Sequence, residues 1–152
     1  MQPIPPPQSL VGKRIIYFAY AIYGQEKHLD IIQDNNTQKN TPCITWLGDG
    51  STRALWIERS FPKTNRIYRT NELGMMLQMT KQSLGIAQLP CARCDPDPDL
   101  FRIPAKHIEP GWGLWLLTHT DIRTTVRVRI FKDFLVKELE RNIDLIEGYF
   151  KN

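Results

Sequence analysis

The chain predicts an α/β fold: a mixed, mostly parallel sheet with flanking helices. Three observations carry this. Short apolar runs at Ile15–Tyr23, Cys43–Leu47, Ile86–Leu89 and Trp112–Thr118 have the length of strands rather than of helices. A helical face formed by Leu73, Met76, Leu77, Thr80 and Leu84 lies between two strand-like runs. The unit 66–89 therefore reads strand, helix, strand, which favours a right-handed crossover and a parallel pair.

The elements follow in order. Residues 1–10 are proline-rich and read as a loop or tether. Ile15–Tyr23, rich in isoleucine and aromatics, is a buried strand. Glu26–Ile32 is one or two helical turns. Gln33–Thr41 is polar and aperiodic, so it reads as a surface loop. Cys43–Leu47 is a strand, followed by a turn at Gly48–Gly50. Ser51 is then a candidate N-cap for a helix to about Ser60, which Pro62 ends. Arg66–Thr70 is a strand. Asn71 is the candidate cap of the next helix, Glu72 sits in its first turn, and Gly85 is its stop. Ile86–Leu89 is a strand, Asp95–Asp99 a turn, and Leu100–Ile103 an edge strand. Pro104–Gly111 is a loop. In Trp112–Thr118, Trp112 and Trp115 are expected to be packing groups.

The segment after Asp121 carries two patterns. Val126, Val128 and Ile130 alternate with Arg127 and Arg129, a period of two that says strand. From Phe131 onward, Leu135, Leu139, Ile143, Ile146 and Tyr149/Phe150 mark one side of a helix.

Composition bounds the function. With 152 residues the chain suffices for one domain or two small lobes, and 41% apolar with 24% charged residues is ordinary for a globular protein. No run approaches the ~18 apolar residues of a membrane span. The opening MQPIPPPQSL lacks a basic stretch followed by an apolar core, so no signal peptide is read there. Three cysteines make no disulfide framework, and a cytoplasmic setting is expected. The net charge of +4 is mild. The dense basic cluster Arg123, Arg127, Arg129 and Lys132 is soon offset by Asp133, Glu138, Glu140, Asp144 and Glu147, so no DNA-binding face is expected.

Reactive chemistry finds little support. Cys91 and Cys94 form a C-x-x-C that could join Cys43 and His28, His107 or His119 around zinc, but no second close ligand pair exists. The reading is two incidental thiols, with no metal and no cofactor. There is no G-x-S-x-G elbow, H-E-x-x-H or Walker A loop, and DPDPD lacks the spacing of an EF-hand. No enzyme is expected.

Several pieces stand in a telling order: Leu10-Val-Gly-Lys-Arg14, Ala21-Ile-Tyr23, Trp46-Leu-Gly48, Tyr68-Arg-Thr-Asn71, then GIAQLPC, DPDPDLFRIP and LWLLTHTDIR. Over about residues 8–137 this order resembles the effector-binding domain of LysR-type transcriptional regulators. The resemblance implies a domain like a periplasmic binding protein, two α/β lobes closing on a small molecule. It implies a tether at 1–10, lobe two with its crossing strands at 11–118, and at 119–152 a C-terminal amphipathic helix, beginning near Ile122, that belongs to lobe one. The family's winged helix-turn-helix and the opening half of lobe one have no counterpart here, so a truncated regulator is expected, with DNA reached only through such a missing domain. Ser83 stands where the family more often has glycine, and Glu72 where it often has a small hydroxyl residue.

Open α/β sheets bind ligands outside the carboxyl ends of their strands. The candidate contacts are Thr70 and Asn71, with Gly48 and Asp49 opposite, and a small carboxylate or amino acid as effector. Glu72 would repel an anion there, which favours a zwitterion or cation. The helix side Phe131, Leu135, Leu139, Ile143, Ile146 and Phe150 is expected to mediate a homodimer. The rival reading is a stand-alone interaction or dimerisation protein that keeps the fold without ligand or DNA.

Overall fold

The computed structural model describes residues 9–32, 35–48, 54–104 and 109–149. β1 (Leu10–Gly24) leads into a 3-10 helix (Glu26–Ile32) and α1 (Asn35–Asn40). β2 (Cys43–Trp46), α2 (Leu55–Ser60), β3 (Ile67–Thr70), α3 (Leu73–Lys81) and β4 (Ile86–Pro90) follow. The chain continues through α4 (Cys91–Cys94), β5 (Phe101–Arg102), β6 (Glu109–His119), α5 (Val126–Arg141) and α6 (Ile143–Ile146).

One sheet runs in the order β3-β2-β4-β1-β5, and β6 also pairs with β1. β3 and β4 are both parallel to β2. β1 is antiparallel to β4, β5 and β6. β2 to β6 therefore share one direction, and β1 alone opposes them. The 66–89 unit yields two parallel strands as expected, with β2 inserted between them.

Alternation along the strands divides the core between the two faces of the sheet. Ala19, Ala21 and Tyr23 of β1, Ile44 of β2, and Ala87 and Leu89 of β4 pack with Met76 and Leu77 of α3 and with Cys91 and Cys94 of α4. Ile22, Cys43 and Ile86 point the other way, onto Ile31 and onto Trp56, Ile57 and Phe61 at α2. Trp56 and Phe61 meet edge to face, with ring centroids 6.1 Å apart. Burying a side chain such as Phe61 or Ile57 contributes about 1.5–3 kcal/mol.

A buried polar cluster ties the C-terminal segment to this body. The Tyr23 hydroxyl and the Arg102 Nε each donate to Asp95 Oδ1 at 2.7 Å. Arg102 Nη2 completes the ion pair with Asp95 and also donates to the Gly148 carbonyl at 3.0 Å. Such a pair must be fully hydrogen-bonded to offset its desolvation, and this one is bidentate.

Several expectations are corrected. Asn35–Asn40 forms a helix inside the stretch read as loop, held in part by the Thr41 hydroxyl donating to the Thr37 carbonyl at 2.9 Å. β6 begins at Glu109, within the expected loop 104–111. α2 begins at Leu55 after Ala54, while the expected cap Ser51 lies outside the described residues. The alternating 124–130 stretch is not a strand: a helix starts at Val126, four residues after the start the family resemblance implied. The helix pauses at Asn142 before the short α6. Trp112 and Trp115 are exposed rather than packed in the core.

Candidate functional site

β2 and β3 end side by side. Trp46 pairs with Thr70, and the Leu47 N–H donates to the Thr70 carbonyl at 2.9 Å. Gly48 and Asn71 therefore leave the same carboxyl edge, both exposed. Asp49 lies outside the described residues. The parallel register thus brings Thr70, Asn71 and Gly48 together, as the strand reading requires.

α3 opens at this edge. The expected cap at Asn71 is corrected: Glu72 holds the N-cap position in extended conformation, and no side chain among the described residues caps the first turn. Thr70 Oγ1 instead accepts the Glu72 N–H at 3.3 Å, a hydroxyl turn one residue earlier. The amide end of α3 consequently carries positive partial charge without a local hydroxyl partner. Glu72 Oε1 lies close enough to Gly74 that a Cβ there would meet it at 3.1 Å. The carboxylate is folded over the start of the helix, where the dipole favours it.

Beside this helix end is a shallow depression of about 610 Å³, lined by Glu72, Met75, Leu77, Gln78 and Arg93 among others. One carboxylate and one guanidinium share it with an apolar floor. Sequence reasoning named Glu72 but missed Arg93. Arg93 lies on the single turn α4, which the C-x-x-C spacing could have flagged as a helical turn facing α3. Its flanking Cys91 and Cys94 are fully buried on that turn. Burial pushes the Cys91 thiol up, and the Cys94 thiol up to about 12. Both are packing groups. Among the described residues no cluster of His, Cys, Asp and Glu could hold a metal ion.

The end of α3 is set by Ser83, not by Gly85. Ser83 has φ 62°, its N–H donates to the Thr80 carbonyl, and the Leu84 N–H donates to the Met79 carbonyl. These two bonds form a Schellman cap in which glycine is the usual residue. Gly85 serves a different purpose, since a Cβ there would stand 2.4 Å from the Pro42 carbonyl oxygen where β4 meets the start of β2.

A two-stranded ribbon leaves the same side of the sheet. β1 pairs with β4 through Tyr20–Tyr23, and its earlier length, Leu10–Ala19, pairs with β6. Because β1 opposes β4, that two-stranded ribbon rises beyond the same carboxyl edge that carries Thr70 and Asn71. Two register shifts bend it. The first lets Arg14 and Tyr17 share a face, and the Arg14 guanidinium lies 4.0 Å from the centre of the Tyr17 ring and 5.9 Å from that of Trp115. α5 lies against the outer part of the ribbon, over a groove of about 500 Å³ between Gly12, Lys13 and Leu116 below and Lys132, Val136 and Glu140 above.

A mostly parallel α/β sheet with a two-stranded ribbon leaving its carboxyl edge belongs to the periplasmic-binding-protein-like class of folds. The LysR substrate binding domain family matches residues 36–140, and the chain belongs to that family. The effector domain of the transcriptional regulator AmpR from Pseudomonas aeruginosa is similar, with TM-score 0.65 and 14% identity over 90% of this chain and 68% of that one. CrgA, a LysR-type regulator from Neisseria meningitidis, matches at TM-score 0.66 and 17% identity, over 88% of this chain and 49% of that one. AbpA, an amino acid ABC transporter substrate-binding protein from Streptococcus pneumoniae solved with L-arginine, matches at TM-score 0.51 and 9% identity, over 93% and 60%. These likenesses establish the periplasmic-binding-protein-like fold. No curated protein sequence matches the chain. No helix among the described residues is long and apolar enough to cross a membrane.

Proposed function

We propose that this chain is the effector-binding part of a LysR-type transcriptional regulator, taking a small zwitterionic metabolite at the carboxyl edge of β2 and β3. The single observation that carries the reading is the uncapped amide end of α3 beside Thr70 and Asn71. An amide end favours a carboxylate, and Asn71 can add a donor. Glu72 rules against a simple anion, since two negative charges would repel. An amino-acid-like molecule meets both demands: its ammonium faces Glu72, while its carboxylate faces the helix end or Arg93. Residues 11–118 act as lobe two with its crossing strands, and 119–152 as the helix contributed to lobe one. The ribbon β1–β6 is the hinge across which binding biases the lobes. A ligand shifts that balance only by its difference in affinity for the two arrangements. Regulation of transcription follows in a protein that also carries a DNA reader, and self-association through the C-terminal helix fits either this role or that of a purely structural module.

Thermal-shift titration with a panel of amino acids and small carboxylates tests this. At least one amino acid is expected to raise Tm, and Asn71→Ala should cut its affinity about tenfold, the loss of roughly one charge-assisted hydrogen bond. Thr70→Val should act in the same direction. A panel in which no member binds, or one bound equally well by the Asn71→Ala protein, rejects the site.

A further inference from the structure

One face of the β1–β6 ribbon carries a side-chain arrangement that the site at the sheet edge does not use. Arg14 stands opposite Trp115, and Tyr17 opposite Gly113. Three residues apart on a regular strand, Arg14 and Tyr17 would point to opposite faces. The register shift between Arg14 and Ile16 turns them onto one face, and re-aiming a side chain is a common use of such a shift. The Arg14 guanidinium carbon then lies 4.0 Å from the centre of the Tyr17 ring and 5.9 Å from that of Trp115. The Arg14 stem crosses Gly113 so closely that a Cβ there would stand 2.6 Å from Arg14 Cδ and 3.4 Å from Trp115 Nε1. Glycine weakens a strand. Here it leaves room for Arg14 and the Trp115 indole N–H over the same spot.

Both donors are unused within the molecule. Among the described residues Arg14 forms no ion pair or hydrogen bond, and Trp115 Nε1 has no acceptor. β1 holds Lys13 and Arg14 and no acid. Lys13 points to the opposite face, where Lys132, Asp133, Lys137 and Glu140 of α5 border the groove beside it. Glu147 reaches the ribbon at its edge, where Oε1 accepts the Tyr17 N–H at 3.5 Å. Between Glu109 and His119, β6 has no charged residue. A guanidinium stacked by its face keeps the N–H donors at its rim free for a carboxylate or phosphate. The rings beside it are open too: Tyr17 is 39% and Trp115 43% exposed. The expected dimer side of the C-terminal helix offers no comparable arrangement. There Ile146 is buried and Leu135 and Leu139 half-buried, while Phe150 lies outside the described residues.

We propose that this face of the ribbon is a second small-molecule site, for an aromatic carboxylate. The carboxylate takes the Arg14 guanidinium and the Trp115 indole N–H, and the ring covers the exposed surface of Tyr17 and Trp115. Donors and rings lie within a few ångströms of one another, so the ligand carries its anionic group directly on its ring. Inorganic phosphate satisfies the donors but leaves the rings wet. A nucleotide holds its base away from its phosphate by a sugar and overreaches. Stacking adds about threefold to tenfold in affinity over an aliphatic carboxylate, the range of an aromatic pair. This site shares no residue with the one at the carboxyl edge of β2 and β3. The Trp115 indole reads the first and Asn71→Ala disables the second, so each stands or falls alone.

The test follows the indole N–H resonance of Trp115, assigned by its loss in Trp115→Phe, as benzoate is added to the isotope-labelled full chain. That resonance should shift saturably, and more than the other indoles. Cyclohexanecarboxylate should bind about threefold more weakly or worse, and adenosine monophosphate and inorganic phosphate should also fall below benzoate. Arg14 is exposed, so Arg14→Gln should leave circular dichroism unchanged. It should weaken benzoate about tenfold or more, the loss of a charge-assisted pair. Asn71→Ala should bind benzoate as the unaltered chain does. A Trp115 resonance that benzoate does not move, a shift that survives Arg14→Gln, or phosphate or the nucleotide binding as tightly as benzoate each overturns the proposal. So does cyclohexanecarboxylate binding equally well, or loss of the shift in Asn71→Ala.

Discussion

Ser83 is the residue whose chemistry least suits its backbone. It takes a left-handed conformation at φ 62° to close α3, and its hydroxyl is buried with no partner among the described residues. A Cβ in that region is strained, and an unbonded buried hydroxyl adds to the cost. Ser83→Gly is therefore expected to stabilise the protein by about 0.5–1 kcal/mol, read as a higher urea midpoint at unchanged slope. An unchanged or lower midpoint would contradict this account of the cap. The same position illustrates what single residues in the sequence reveal. Pattern reading stopped α3 at Gly85 because glycine is the usual left-handed residue, and a serine gives no such signal. Asn71 misled similarly: it is a good cap by type, yet the Thr70 hydroxyl reaches the Glu72 N–H first. Thr70 and Gly48 needed no such local detail, since the ends of apolar runs already located them.

At the scale of elements, β1 and β6 form the ribbon that leaves the carboxyl edge of the sheet, and Gly12 leaves no room for a side chain between them. A Cβ on Gly12 would lie 1.9 Å from the Leu116 carbonyl oxygen. Gly12→Ala must push the strands apart, at a cost of about 1–3 kcal/mol by analogy with overpacked cores. Hydrogen exchange should accelerate at Val11–Arg14 while Ala21–Tyr23, paired with β4, stay protected. Uniform protection in the variant would refute the idea that this glycine sets the ribbon. Elements with a continuous buried face were legible: Ile86–Leu89 and Cys43–Trp46 lie on the axis of the sheet and read as strands from apolar content alone. α1 was not, because Asn35–Asn40 has no apolar periodicity and four of its six residues, Asn35, Asn36, Thr37 and Asn40, are weak helix formers. α5 carried a false strand signal, since Val126, Val128 and Ile130 alternate with arginines by type. Those residues are exposed or half-buried, so no sheet environment exists to realise the alternation, and tertiary context decides.

The whole molecule has a pH limit built into its core. Burial raises the Cys91 and Cys94 thiols above their ordinary value of 9.0, Cys94 to about 12. The Tyr23 phenol is raised too, by burial and then by its bonds to Cys91 and Asp95. The folded chain thus keeps protons that the unfolded chain sheds. Stability is untouched by these groups below pH 9 and falls as pH rises from there toward 12. Urea titrations between pH 7 and 11 should record this decline, and Cys94→Ala should flatten it. A pH-independent midpoint would rule it out. The domain class was legible in the sequence because five or six short pieces fell in one order. The opposing direction of β1 was not, since strand polarity depends on partners remote in the chain. That polarity has a consequence during translation. β1 leaves the ribosome ahead of β4, β5 and β6, and Leu10 must wait for His119 before its pairing is complete. Loop closure over such spans is slow, so nascent β1, rich in isoleucine and tyrosine, stays sticky throughout synthesis and is where a chaperone would hold the growing polypeptide.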